Sequence, residues 1–149
     1  MNKLDRPIYD DEAALDVLAN NPRIGSYPAL QLHVATLKAA YTQYCAVNGN
    51  VSAVAPVVLP AQIAAHLRGH YKSPPQSLAH IKALRENSSS KTCSMCGSLH
   101  GGTLDHLMDK DTYPAFSIFT QNLVPACLCN SKRPAALVGS KSLTQNVSV

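Results

Sequence analysis

The chain has 149 residues, enough for one domain with an ordinary core or for a small site module joined to a helical extension. Hydrophobic residues make up 46% of it, which excludes a wholly disordered protein, and no apolar run reaches the roughly 18 residues of a membrane-spanning helix. A formal net charge of +4 is a mild basic excess that suits a polyanionic partner without requiring one. Residues 1–11 are polar and carry no apolar signal segment, so the expectation is a soluble, cytoplasmic protein.

The N-terminal part reads as mostly helical. Asp10 and Asp11 are placed to cap a short helix through Leu18, which Asn20, Asn21 and Pro22 end. Ser26 precedes a longer predicted helix over 27–46, with Leu30, His33, Val34, Leu37, Ala40, Tyr41 and Tyr44 at helical spacing. Residues 49–60 are a small-residue connection, with a brief extended piece predicted at 57–59. A third helix follows over 61–70. Ser73 then caps a fourth over 74–86, where proline suits the first turn and Leu78, Ile81 and Leu84 have core spacing. Arg68, His70, Tyr71 and Lys72 form a basic and aromatic cluster, either a phosphate contact or a solvated helix end. Residues 87–91 are a polar, serine-rich hinge. They divide a helical region over 1–88 from a second module over 89–138, which a flexible tail over 139–149 follows.

After the hinge the composition changes. Residues 93–102 hold two cysteines and three glycines and favour a turn. A short strand is expected over 103–107, an irregular aromatic loop over 113–120, and a short helix from Asn130. The cysteines are grouped: Cys93 and Cys96 form one close pair, Cys127 and Cys129 another, and Cys45 stands apart. Tight pairs in a reducing compartment point to metal binding rather than to a disulfide framework. Two thiolates three positions apart across a glycine-containing turn can face one Zn²⁺ ion, and four close a tetrahedral structural site. The second pair is spaced CxC where zinc ribbons have CxxC, and His100 is an alternative ligand.

Between the two pairs stand Asp105-His106, then Asn122-Leu123-Val124-Pro125-Ala126-Cys127, then Cys129-Asn130-Ser131-Lys132-Arg133. Singly, Asp105 reads as a turn cap, His106 as a satisfied histidine, and Asn122 and Asn130 as ordinary turn residues. In order and spacing, residues 93–133 resemble the HNH endonuclease family of ββα-metal nucleases. The stretch Tyr113-Pro114-Ala115-Phe116 is similar to the loop of one HNH subgroup. The sequence departs from that pattern in the CxC spacing and in Met108-Asp109-Lys110, which stands where a proline often follows the Asp-His pair.

The resemblance implies an α+β protein: a mostly helical N-terminal region followed by a small zinc-stabilised ββα-metal module. The implied activity is hydrolysis of DNA phosphodiester bonds with a catalytic Mg²⁺ or Mn²⁺ ion. His106 would be the general base, Asp105 and Asn130 the ligands of the catalytic ion, and Asn122 the residue that fixes the loop orienting His106. Cys93, Cys96, Cys127 and Cys129 would hold structural Zn²⁺, and Lys132, Arg133 and Lys110 would meet phosphate, with Lys91 a weaker candidate. Adjacent strand residues point to opposite faces, so Asp105 and His106 share a site only where the strand ends or bends. DNA is the expected partner, with a second copy or an accessory defence protein beside it; phage defence, restriction or a mobile element is the expected setting. The alternative is a catalytically inactive or truncated zinc-stabilised module that binds DNA or another partner.

Overall fold

A computed structural model describes residues 9–48, 50–87 and 103–126. Among the described residues the order is four helices and then two strands: α1 (Asp11–Ala19), α2 (Val34–Ala46), α3 (Ala61–Lys72), α4 (Ala79–Asn87), β1 (Thr103–His106) and β2 (Leu123–Ala126). The protein is therefore α+β. No helix among the described residues is long and apolar enough to cross a membrane.

Local chemistry sets the helix boundaries. The Asp10 carboxylate accepts from the Ala13 N–H at 3.0 Å and caps α1, while Asn20 closes it. The helix expected over 27–46 takes α geometry only from Val34. Pro28 disfavours α geometry in Tyr27 before it, and a 3₁₀ turn over Ala29–His33 precedes the helix. The same physics delays the fourth helix. Pro75 keeps its predecessor extended, a 3₁₀ turn over Gln76–Leu78 follows, and α4 begins at Ala79 rather than at Pro74. Ser73, expected to cap α4, instead ends α3, its N–H donating to the Gly69 carbonyl. Residues 54–60 carry no strand; a 3₁₀ turn lies just before them at Val51–Ala53.

The two strands pair antiparallel, with Thr103 opposite Ala126 and His106 opposite Leu123. Two four-residue strands are marginal by themselves. They persist because the long connection between them, residues 107–122, is itself core. Met108, Ala115 and Phe116 are fully buried, and Ile118 and Phe119 nearly so. Phe119 stacks on Tyr41 of α2 at 4.3 Å and meets Tyr44 edge-on at 5.1 Å. Each such aromatic burial contributes about 1.5–3 kcal/mol, with the ring geometry adding about 0.5–1.5 kcal/mol. Leu15, Leu37, Leu67 and Ile81 from the four helices join Leu104 and Phe116 in one buried cluster.

Candidate active site

Asp105 and His106 are the last two residues of β1. The strand ends there, and the two side chains come together: Asp105 Oδ1 lies 3.6 Å from His106 Nδ1. His106 is only 1% exposed. Its Nε2 lies 2.8 Å from the Ser117 carbonyl oxygen. A carbonyl can only accept, so Nε2 carries the hydrogen, and in the neutral ring Nδ1 carries the lone pair. The lone pair thus sits on the Asp105 side. The Asp105 side chain is 21% exposed and so meets water, whereas Nδ1 itself is buried behind it.

Asn122 closes the loop that brings Ser117 to His106. The asparagine is fully buried. Its Oδ1 accepts from the Met108 N–H at 2.8 Å, and its Nδ2 donates to the Met108 carbonyl at 3.1 Å and to the Phe116 carbonyl at 3.2 Å. One side chain thus joins the residue two after His106 to the residue just before Ser117. The backbone adds a fourth tie, from the Leu107 N–H to the Asn122 carbonyl at 2.8 Å. Met108, in the position where the family pattern often has proline, is buried under this clasp. Asp109 makes a turn, accepting from the Thr112 N–H and hydroxyl at 2.9 and 3.0 Å.

Two further anchors come from the helices. Asp11 in the first turn of α1 accepts from the Thr120 hydroxyl at 2.6 Å and from its N–H at 3.2 Å, although 109 residues separate them. Burial pushes the Asp11 carboxyl above the usual carboxylate range, and the bonds from Thr120 pull it partly back. His80 of α4 lies 4.0 Å from the same carboxylate and stacks on Tyr9; burial holds its imidazole below the ordinary histidine value. From α3, Tyr71 donates its hydroxyl to the Leu104 carbonyl at 2.5 Å and sets its ring edge-to-face against His106 at 4.2 Å. Arg85 of α4 donates to the Tyr71 carbonyl at 2.6 Å and lies over the Tyr71 ring at 4.9 Å.

The basic and aromatic cluster of the sequence is dispersed. Tyr71 turns inward, His70 bonds to the Ser26 hydroxyl at 2.9 Å, and Arg68 lies 3.7 Å from Asp111 in a partly exposed pair of little energetic weight. Lys72 is exposed. Lys110 is half-buried in the loop between the strands. Cys93, Cys96, Cys127, Cys129, Asn130, Lys132, Arg133 and Lys91 lie outside the described residues, as do the expected closing helix and tail and the expected hinge apart from Asn87, which ends α4.

Ser117, Asp11, Thr120 and Arg85 carry no local signature of these roles. Tyr71 had one: it follows Leu67 by four and Ala64 by seven residues, which places it on the buried stripe of α3. As to metals, no group of three or more His, Cys, Asp or Glu side chains gathers among the described residues. Asp105 fits a hard divalent ion, which takes oxygen ligands and keeps several waters, because it is a partly exposed carboxylate beside the imidazole. No protein-family model, curated protein or solved structure matches the chain.

Proposed function

We propose that this protein is an HNH-type endonuclease that hydrolyses DNA phosphodiester bonds with a divalent ion and His106 as general base. The carrying observation is the seating of His106, with Nε2–H on a backbone carbonyl and Nδ1 turned to a partly exposed carboxylate at the end of the strand. A base for water must be held in one tautomer and must tolerate the proton it gains. Nδ1 takes the proton from the attacking water. The imidazolium that results lies between two acceptors, the Ser117 carbonyl and the Asp105 carboxylate, and both favour its charge. Removing such a base costs roughly 10²–10⁴-fold in rate.

Asp105, with Asn130, would hold Mg²⁺ or Mn²⁺. When bound, such an ion supplies Lewis-acid stabilisation of charge on the phosphoryl oxygens. Asn122 touches no substrate in this reading; it sets the distance from Ser117 to His106. Cys93, Cys96, Cys127 and Cys129 would hold Zn²⁺. In support, Thr103 and Ala126 are register partners, and Cys127 is the next residue after Ala126 in sequence. Lys132, Arg133 and Lys110 would meet phosphate, and the basic excess agrees with a polyanionic partner.

The depth of His106 favours a second reading. At 1% exposed the ring is also what a purely structural histidine looks like, and the protein would then be a non-catalytic DNA-binding or interaction module. Labelled duplex DNA, single-stranded DNA and RNA, each incubated with the full chain and Mg²⁺, Mn²⁺ or EDTA, separate the two. The nuclease reading expects divalent-dependent cutting of DNA that His106→Ala loses. Binding without cutting by zinc-loaded, folded protein would select the module.

A further inference from the structure

We infer that Tyr71, held by Arg85, is a positioning residue for His106: it keeps the imidazole in the single orientation that the Ser117 carbonyl alone does not define. One hydrogen bond at Nε2 fixes a point of the ring, and the plane is set by what packs against the buried imidazole. The Tyr71 ring supplies such a contact, meeting the imidazole at 4.2 Å with an interplanar angle of 61°. Such edge-to-face contact is attractive and orientation-dependent.

A constraint is useful only if its source is itself fixed. The Tyr71 hydroxyl donates to the Leu104 carbonyl at 2.5 Å. Leu104 and His106 alternate along β1 to the same face, so the phenol runs along the strand from the Leu104 backbone to the imidazole. Its other end is held by Arg85, whose guanidinium donates to the Tyr71 carbonyl at 2.6 Å and covers the ring at 4.9 Å. Burial also raises the Tyr71 phenol above its ordinary value, so it remains a hydrogen-bond donor across the working range of pH. Helices α3 and α4 therefore reach the end of β1 through one aromatic ring. Its kinetic consequence rests on His106 being the base; the ring geometry does not.

The test compares Tyr71→Phe, Tyr71→Leu and Arg85→Met in the full chain with ¹⁵N-labelled histidines. The resonance of His106 among the six histidines is identified by its loss in His106→Ala. Long-range ¹H–¹⁵N spectra read the tautomer directly. Wild type is expected to show one Nε2–H tautomer, and Tyr71→Phe, which keeps the ring under Arg85 but loses the Leu104 anchor, to show it predominantly. Tyr71→Leu is expected to let the ring swing off the Ser117 carbonyl and so mix in the Nδ1–H tautomer, and Arg85→Met to do so partly. In DNA cleavage, Tyr71→Leu should lower kcat by about 10–100-fold with KM unchanged, the cost of a misaligned group, while Tyr71→Phe, which loses only the hydroxyl anchor, should fall between it and wild type. An unaltered single tautomer in folded Tyr71→Leu overturns the inference. So does an unaltered one in Arg85→Met if the leucine variant does not fold. A wild type that shows the single tautomer, lost in Tyr71→Leu, yet cuts no DNA would sink the nuclease reading and leave the positioning supported.

Discussion

Replacing Asn122 by alanine tests the loop clasp with little ambiguity, because the side chain is fully buried and every one of its polar atoms is engaged. The substitution leaves the Met108 N–H without its acceptor and the Met108 carbonyl without its donor. The Phe116 carbonyl keeps a second donor, the Phe119 N–H at 3.3 Å. Two orphaned backbone groups at about 1–3 kcal/mol each, reduced where water enters the vacated space, give an expected loss of about 3 kcal/mol. That is roughly 20–60% of the 5–15 kcal/mol typical of a domain. Urea denaturation with an unchanged m-value measures it. Asn122→Asp sharpens the test. Its carboxylate still accepts from the Met108 N–H, but it turns a second oxygen towards two carbonyls, so the aspartate variant should be no better than alanine. Native-state hydrogen exchange should show the Met108 amide opening first. A loss under about 1 kcal/mol in Asn122→Ala, or an aspartate variant as stable as wild type, would refute the clasp.

Other consequences follow from the same contacts. Asp11→Ala removes both acceptors of Thr120 and should cost about 1–3 kcal/mol, whereas Asp11→Asn, whose amide oxygen still accepts, should cost less; thermal unfolding distinguishes them. Because burial raises the Asp11 carboxyl, the native state holds that proton more tightly than the unfolded chain. Its stabilisation is complete below the ordinary carboxylate value and is lost as pH rises through the raised one, so this slope should vanish in Asp11→Asn. The Tyr41 hydroxyl is buried with no hydrogen-bond partner among the described residues, while its ring stacks on Phe119. Tyr41→Phe should therefore raise stability by about 1 kcal/mol or leave it unchanged, and a clear loss of stability would reveal a partner for the hydroxyl. Replacing Lys132 and Arg133 together should flatten the dependence of log K on log salt by about 2 if both meet phosphate, and fluorescence anisotropy across a salt series reads the slope.

The legible parts of the fold are those set by neighbours in sequence. Asp10 as the cap of α1 and Leu37, Tyr41 and Tyr44 as the buried face of α2 follow from capping chemistry and helical spacing. The late starts of α2 and α4 were legible only in part: Pro28 and Pro75 restrict Tyr27 and Pro74 before them, but the 3₁₀ turns that follow have no such local cause. β2 has no strand signal of its own: four residues with Pro125 inside are too short and too irregular, and only their place in the motif marks them. Asp105, His106 and Asn122 could be read as a group because the motif orders them. What surrounds them could not. Ser117 contributes only a backbone carbonyl, which any residue has, and Tyr71, Arg85 and Asp11 reach their contacts through tertiary packing rather than sequence spacing.

The reading of His106 as a base is tested most directly by conversion of supercoiled plasmid to nicked or linear DNA by full-length protein, in Mn²⁺ or Mg²⁺ and in EDTA, beside His106→Ala matched for folded content by circular dichroism. The expected result is divalent-dependent cutting that the alanine variant lacks by about 10²-fold or more. Equal cutting by the two proteins, or none by the folded wild type, would contradict it.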